Sequence, residues 1–301
     1  MAAAAPRQIL LACFEAALAA VDARRRTFAA LDAARYAGDW HVLAIGKAAG
    51  AMTLGALERL GPRVLDALVV TRPGHVPPAL AAAGPVRIVE SSHPVPDARS
   101  LSAGETVAGY VAAMPRRAQV LCLVSGGASS LVERLVRGVS LEDLVALNAW
   151  ALASGCTIGQ TNALRRTLST LKGGGLAGLI APRRCEALFV SDVPGDDPAV
   201  IGSGLLHAAD RRAGLPAGLP PELRRVLARA GARSRAAKAP GVPCQVVASV
   251  HHARAAAGEQ GRRQGLDVRV SRHRFAGDAG RLGPRFARTV LAARPRTLCI
   301  W

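Results

Sequence analysis

The chain has 301 residues, half of them hydrophobic, with 39 Lys and Arg against 21 Asp and Glu, a formal charge of +18. The length suits two domains or one large one, and the apolar content excludes a disordered chain. No uncharged apolar run approaches the ~18 residues of a membrane-spanning helix. Only Lys47, Lys172 and Lys238 are lysines; every other basic residue is an arginine, scattered singly and in pairs, with Arg24–Arg26 the longest run. Such a pattern suits small anions better than nucleic acid, which calls for a basic stripe with interleaved aromatics. The six cysteines form no CxxC pair and no zinc spacing, so a reduced, cytoplasmic setting and small core thiols are expected.

In chain order, the N-terminal stretch ending near residue 18 reads as an amphipathic helix rather than a secretion signal. HVLAIGKA (41–48) is a strand entering a helix at Lys47. LDALVVTRPG (65–74) is a strand ending in a turn, and VRIVESSHPVPD (86–97) a strand followed by a Pro-rich loop. Residues 101–114 have helical spacing. AQVLCLVSGGASSL (118–131) is a strand, a Gly turn and a helix start. Residues 141–155 and 161–180 are predicted helices, and CEALFVSDVPGDD (185–197) is a strand running into an acidic loop. Continuous apolar strands alternating with helices predict an α/β fold, a Rossmann-like doubly wound and mostly parallel sheet with helices on both faces.

Residues 211–243, rich in Pro, Gly and Arg, read as a connector with one short helix at 221–230. Beyond it, strands are predicted at 245–250, 266–272 and 296–301, with helices at 253–265 and 277–293. The expected organisation is a domain over 1–240 and an incomplete second α/β domain over 241–301, its three strands forming one sheet.

In an open parallel sheet, ligands bind at the carboxyl ends of the strands. Four sequence features fall there. Gly46-Lys47-Ala48-Ala49-Gly50 offers a movable positive charge at a helix start, or a solvated lysine. It lacks the Walker A spacing. Ser125-Gly126-Gly127-Ala128-Ser129-Ser130 combines close backbone approach with three hydroxyls suited to phosphate, although a plain strand–helix turn uses the same residues. Asn162, Arg165 or Arg166, and Ser169 share one face of the helix predicted over 161–180, with Lys172 near its Gly-rich end. They read as an anion clamp or as a polar outer face. Ser191–Asp197 carries Asp192, Asp196 and Asp197 just past an apolar strand, fitting Mg²⁺ or a simple turn. His93 in HPVPD and His75 in RPGH are candidate substrate contacts in loops. No GxGxxG and no GxSxG occurs, which argues against a standard dinucleotide site and against a hydrolase.

Taken in order, AIGKAAGAM, VVTRPGH, ESSHPVPDARSLSAGE, LVSGGASSL, the segment from LNAWALASG to LKGGGLA, and SDVPGDDPAVIGSG resemble the type-2 glycerate kinases, the DUF4147/MOFRL family. The resemblance implies ATP-dependent phosphorylation of the 2-hydroxyl of D-glycerate to 2-phosphoglycerate, with ATP and Mg²⁺ as cofactors. It implies that Lys47, the Ser125–Ser130 loop, Arg165 or Arg166, Lys172 and Asp192 line the active cleft; on physical grounds Lys47, Arg165 and Asp192 are the expected catalytic residues. Ser125, Gly126, Gly127, Ser129, Ser130 and Lys172 would bind the nucleotide, and His93, Asn162 and Arg166 the substrate. Asp192 and Asp196 would hold the metal. Small molecules are the expected partners, with no nucleic acid and no membrane, and a homodimer is the candidate assembly.

Three departures stand out. Ala128 replaces a family glycine, adding a Cβ where the backbone could need φ > 0. His251 stands where the family tends to have Asn. The chain stops on strand 296–301, where the family continues into a Gly-Gly-Glu-Thr-Thr loop, so truncation within the second domain is expected. The alternatives are therefore a truncated inactive member and an oxidoreductase of the hydroxypyruvate reductase type.

Overall fold

The computed structural model describes residues 5–32, 34–208, 215–231, 241–271 and 278–301. The connector predicted over 211–243 lies mostly outside these residues. The chain divides into two compact units, one of residues 23–247 and one of 1–22 with 248–301. The N-terminal helix thus joins the C-terminal segment rather than the domain expected over 1–240.

The larger unit runs α2 (Ala23–Ala30), β1 (Trp40–Ile45), α3 (Ala49–Leu60), β2 (Val64–Thr71), α4 (Pro78–Ala81), β3 (Val86–Glu90), α5 (Ala98–Ala113), β4 (Gln119–Ser125) and α6 (Ala128–Leu131). It continues through α7 (Leu141–Ala153), α8 (Ile158–Leu168), α9 (Gly175–Ile180), β5 (Arg184–Val190), α10 (Pro221–Gly231) and β6 (Cys244–Ala248). The six strands form one sheet in the order β3-β2-β1-β4-β5-β6. β3, β2, β1, β4 and β5 pair in parallel. The chain winds outward from β1 in one direction, then returns to β4 and winds the other way. The crevice between the carboxyl ends of β1 and β4 is the topological switch point, where doubly wound sheets bind ligands.

The strands are apolar throughout because both faces are covered. All six residues of β1 are buried. Alternate residues feed opposite cores: Leu43 and Ile45 pack with Val120, Cys122, Val124 and Phe189 on one face. Val42 and Ala44 pack with Val69, Leu121, Leu123 and Met52 on the other. A third cluster, of Leu144, Leu147, Leu164, Leu168, Leu223 and Val226, joins α7, α8 and α10. Helix starts follow side-chain caps: Asp97 accepts from the Arg99 amide, Ser140 from Asp143, and Thr157 from Gln160.

Two expectations need correction. The helix predicted over 161–180 is two helices. α8 ends at Leu168, Ser169 is extended and bridges Leu135, and Gly173 and Gly174 take left-handed φ of 62° and 88° before α9 begins. The break is held from outside: Val136 N–H donates to Leu168 O, and Thr170 N–H to Arg134 O. Lys172 therefore sits in the turn between helices and not on the α8 face. Second, the strand read at 245–250 is β6. It extends the six-stranded sheet beside β5, the amide of Ala187 donating to Pro243 O.

The smaller unit holds α1 (Pro6–Ala20), α11 (Val250–Arg263), β7 (Asp267–Val270), α12 (Ala279–Leu291) and β8 (Thr297–Ile300). β7 and β8 pair in parallel as a two-stranded sheet, so the expected three-stranded sheet is a two-stranded one. α11 packs on it through Gly258 and Gly261, where a Cβ at Gly261 would lie 2.5 Å from Leu298. His251 is exposed near the start of α11. No helix among the described residues is long and apolar enough to cross a membrane.

Candidate active site

The loops after β1 and β4 are stitched together at the switch point. The Lys47 amide donates to Gly126 O at 2.9 Å, and the Ala48 amide to the buried Ser125 hydroxyl at 3.0 Å. Gly46 has φ 136°, and a Cβ there would lie 2.1 Å from Ser125 Oγ. Only glycine lets the two strand ends close so tightly. Ser125 is thus a structural tie between the loops.

Three side chains converge on the Gly126-Gly127 turn. Asp192, from the loop after β5, brings its carboxylate to Gly126, where any Cβ would sit 2.1 Å from Oδ2. Lys47 Nζ is 3.9 Å from the same Oδ2, and both side chains are accessible. His93 lies over Gly127, whose φ is 90° and whose Cβ would meet the imidazole at 3.0 Å. Ala128 is the first residue of α6, so the left-handed position is Gly127 and the extra Cβ falls into a buried slot.

Burial holds the His93 imidazole below its ordinary pKa, and the neighbouring charges of Lys47 and Arg72 add to this, while Asp192 opposes it. His93 is therefore neutral near pH 7. Its Nδ1 is buried with no described partner. An orphaned N–H there is costlier than a bare lone pair, which favours the proton on Nε2. The ring thus offers Nε2–H as a donor beside Gly127. His75 backs the cluster through Nδ1, 3.1 Å from Lys47 O.

The remaining predicted residues form two adjoining networks. Ser129 Oγ is 2.7 Å from Ser203 Oγ, which donates to Asn162 Oδ1 at 2.8 Å. Ser130 is buried and donates to Gly127 O at 3.2 Å, closing the α6 turn. Lys172 is fully buried, its ammonium paired with Glu133 and donating to Val132 O. Burial depresses the Lys172 pKa, and Glu133 opposes this. Lys172 therefore spends its charge inside the protein and does not present it to a ligand, contrary to the nucleotide-binding expectation. Its partner Glu133 was not singled out in the sequence, because a pair 39 residues apart in the chain leaves no spacing signal.

Arg165 donates Nε to Asn148 Oδ1 at 2.7 Å and feels the field of Glu133. Arg166 lies against Gly173 and feels Asp197. Desolvation is the leading influence on both, so each is a half-buried guanidinium with part of its hydration shell removed. Asp196 turns the loop at φ 55°, its amide donating to Val193 O, and no described contact joins its carboxylate to Asp192. No group of three His, Cys, Asp or Glu side chains among the described residues forms a metal cage.

This geometry gathers a lysine, a carboxylate and an imidazole around a two-glycine turn at a Rossmann-like switch point. The family described as a domain of unknown function, DUF4147, matches residues 9–215, over two thirds of the chain. The chain belongs to the DUF4147 family. A protein of Agrobacterium vitis named as a hydroxypyruvate reductase is 38% identical over 85% of this chain and 68% of its own length. The D-glycerate 2-kinase of Thermotoga maritima is 40% identical over 54% of this chain and 38% of its own length. The solved glycerate kinase of Thermotoga maritima superposes with a TM-score of 0.69 at 27% identity, covering 88% of this chain and 65% of that one. The resemblance to the glycerate 2-kinases read from the sequence stands, and so does the α/β fold. This family member spans about two thirds of the length of the first of these relatives and less of the other two.

Proposed function

We propose that the chain transfers the γ-phosphoryl group of ATP to the 2-hydroxyl of D-glycerate, giving 2-phosphoglycerate. The observation that carries the reading is the accessible Lys47–Asp192 pair, 3.9 Å apart over a two-glycine turn at the switch point. Phosphoryl transfer needs positioning and charge neutralisation more than covalent chemistry, and this site supplies both. Lys47 neutralises charge on the transferring group. The glycine turn lets the nucleotide phosphates approach the backbone. The His93 Nε2–H and the guanidinium groups of Arg165 and Arg166 hold substrate oxygens, Arg suiting a carboxylate through its planar fork.

The residues fit Mg²⁺ in its usual mode, one or two carboxylates plus substrate phosphates. Gly126 leaves a notch that a Cβ would fill, the Asp192 carboxylate occupies it, and that carboxylate is more than half exposed. Asp192 would hold the ion, with Asp196 four residues on as the second candidate. The bound ion would neutralise phosphate charge. Asp192 also orients the acceptor hydroxyl and keeps Lys47 over the turn.

The A. vitis relative's name raises a second reading, reduction of hydroxypyruvate. The loop after β1 reads Gly46-Lys47-Ala48-Ala49-Gly50, which is not the glycine fingerprint of a dinucleotide site. Two assays separate the readings: glycerate-dependent ADP release from MgATP, and hydroxypyruvate-dependent oxidation of NADH. ADP release that falls about 100-fold or more in Lys47→Ala supports the kinase. NADH oxidation without ADP release sinks it.

A further inference from the structure

Ser129 lies partly buried on α6, just past the Gly126-Gly127 turn at the switch point, and its hydrogen-bond polarity is fixed from behind. Asn162 is buried, and its amide nitrogen faces Val200 O at 3.4 Å. A flipped amide would set oxygen against oxygen there, so Oδ1 is the atom that meets Ser203. Ser203 Oγ donates its one proton to that oxygen at 2.8 Å. A hydroxyl has a single proton, so Ser203 can only accept from Ser129 across the 2.7 Å contact. The Ser129 proton is thereby committed, and its lone pairs are what remain for a ligand.

Ser203 is itself held in an uncommon state. It is buried, with φ 60°, between Gly202 and Gly204, a conformation that glycine adopts more easily. Its amide donates to Val200 O, and its carbonyl accepts from Gly173 N–H at 3.2 Å. A non-glycine residue stays in such a conformation where its surroundings over-determine it, and such positions cluster at ligand sites.

We infer that Ser129 is a hydrogen-bond acceptor for a hydroxyl of the substrate, held in that role by Ser203 and Asn162, and is not a donor to phosphate. This rests on the kinase reading above and deepens it. A phosphate oxygen is an acceptor and would face the Ser129 lone pairs, which is repulsive. A hydroxyl donor is complementary. It can come from the 3-hydroxyl of glycerate or from the ribose of the nucleotide. Ser129 is the contact residue; Ser203 and Asn162 are positioning residues.

The test compares ligands that differ by one hydroxyl. Calorimetry on the full chain gives the affinity ratio of D-glycerate to D-2-hydroxypropanoate, and of MgATP to its 2′-deoxy and 3′-deoxy analogues. Steady-state kinetics give the same ratios in kcat/KM. Ser129→Ala should cut one of these three ratios by roughly 3- to 10-fold, the worth of one neutral hydrogen bond, and leave the others unchanged. The affected ratio identifies the source of the hydroxyl. Asn162→Asp keeps an acceptor behind Ser203, its buried carboxyl taking up a proton to donate to Val200 O in place of the amide, and should retain the ratio. Asn162→Leu frees the Ser203 proton, allows the chain of bonds to reverse, and should lose the ratio even where thermal unfolding matches that of the Asp variant. All three ratios unchanged in Ser129→Ala overturn the inference. So does an equal loss for every nucleotide, which marks a phosphate donor. Binding ratios are read without turnover, so a chain that binds but forms no phosphoglycerate defeats the kinase reading alone. A chain that binds none of the ligands defeats both.

Discussion

Gly126→Ala separates the site from the fold. The added Cβ would lie 2.1 Å from Asp192 Oδ2 and 2.5 Å from its Cγ, while ordinary contact begins at 3.4 Å. The carboxylate therefore has to retreat by roughly 1.3 Å. It is free to do so, because 59% of the Asp192 side chain is exposed and the three atoms nearest the new methyl all belong to that side chain. The stability cost is that of a surface change, about 0.5 kcal/mol. The activity cost is larger: a 1 Å misplacement of a group that positions the reacting atoms costs about 100-fold. The measurement pairs urea unfolding with glycerate-dependent ADP release at saturating Mg²⁺. An unfolding midpoint near wild type with turnover down about 100-fold is the expected result. Wild-type turnover in a folded Gly126→Ala variant would refute the placement of Asp192 in the reacting geometry.

Lys172→Met leaves Glu133 buried without its partner and should cost about 3–5 kcal/mol in urea unfolding, while the Lys172→Met/Glu133→Leu pair recovers most of it. A single variant within ~1 kcal/mol of wild type contradicts the buried pair. His93 has a folded pKa below 6.5, so as pH falls past about 6.5 the unfolded chain takes up the proton first and stability drops, levelling off below the folded value. His93→Gln should flatten this part of the wild-type slope between pH 7.5 and 5.5; parallel slopes would count against it. Asp192→Asn should raise the Mg²⁺ concentration giving half-maximal rate, and an unmoved Mg²⁺ titration would remove Asp192 from the metal site.

The sheet was legible because strands covered on both faces are apolar without alternation, as in HVLAI and VLCLV, and because glycines mark where they end. That ligand loops lie at the carboxyl ends of the strands followed from the parallel sheet, while the switch point between β1 and β4 needed the strand order. The loops that meet there, around Lys47, His93, Gly126 and Asp192, were each visible as sequence oddities. What the sequence hid was non-local. Leucines at 164, 168 and 171 keep a helical rhythm across a break that pairing with residues 134–136 imposes from outside. The strand at β6 has the same local pattern as β7 and β8, and only its neighbour β5 decides its sheet. Helix α2, ARRRTFAA, has too few apolar residues to register, yet it packs along α3, where Gly55 approaches the Arg24 carbonyl. Lys172 looked like a ligand-binding cation because glycines flank it. Its burial against Glu133 depends on a residue 39 positions away.

The central claim is the chemistry at the 2-hydroxyl. Phosphorus NMR of the chain incubated with ATP, Mg²⁺ and D-glycerate resolves 2-phosphoglycerate from 3-phosphoglycerate. The account predicts 2-phosphoglycerate, absent when Lys47 is replaced by Ala. The 3-phospho isomer, or equal product from the Lys47→Ala variant, would contradict it.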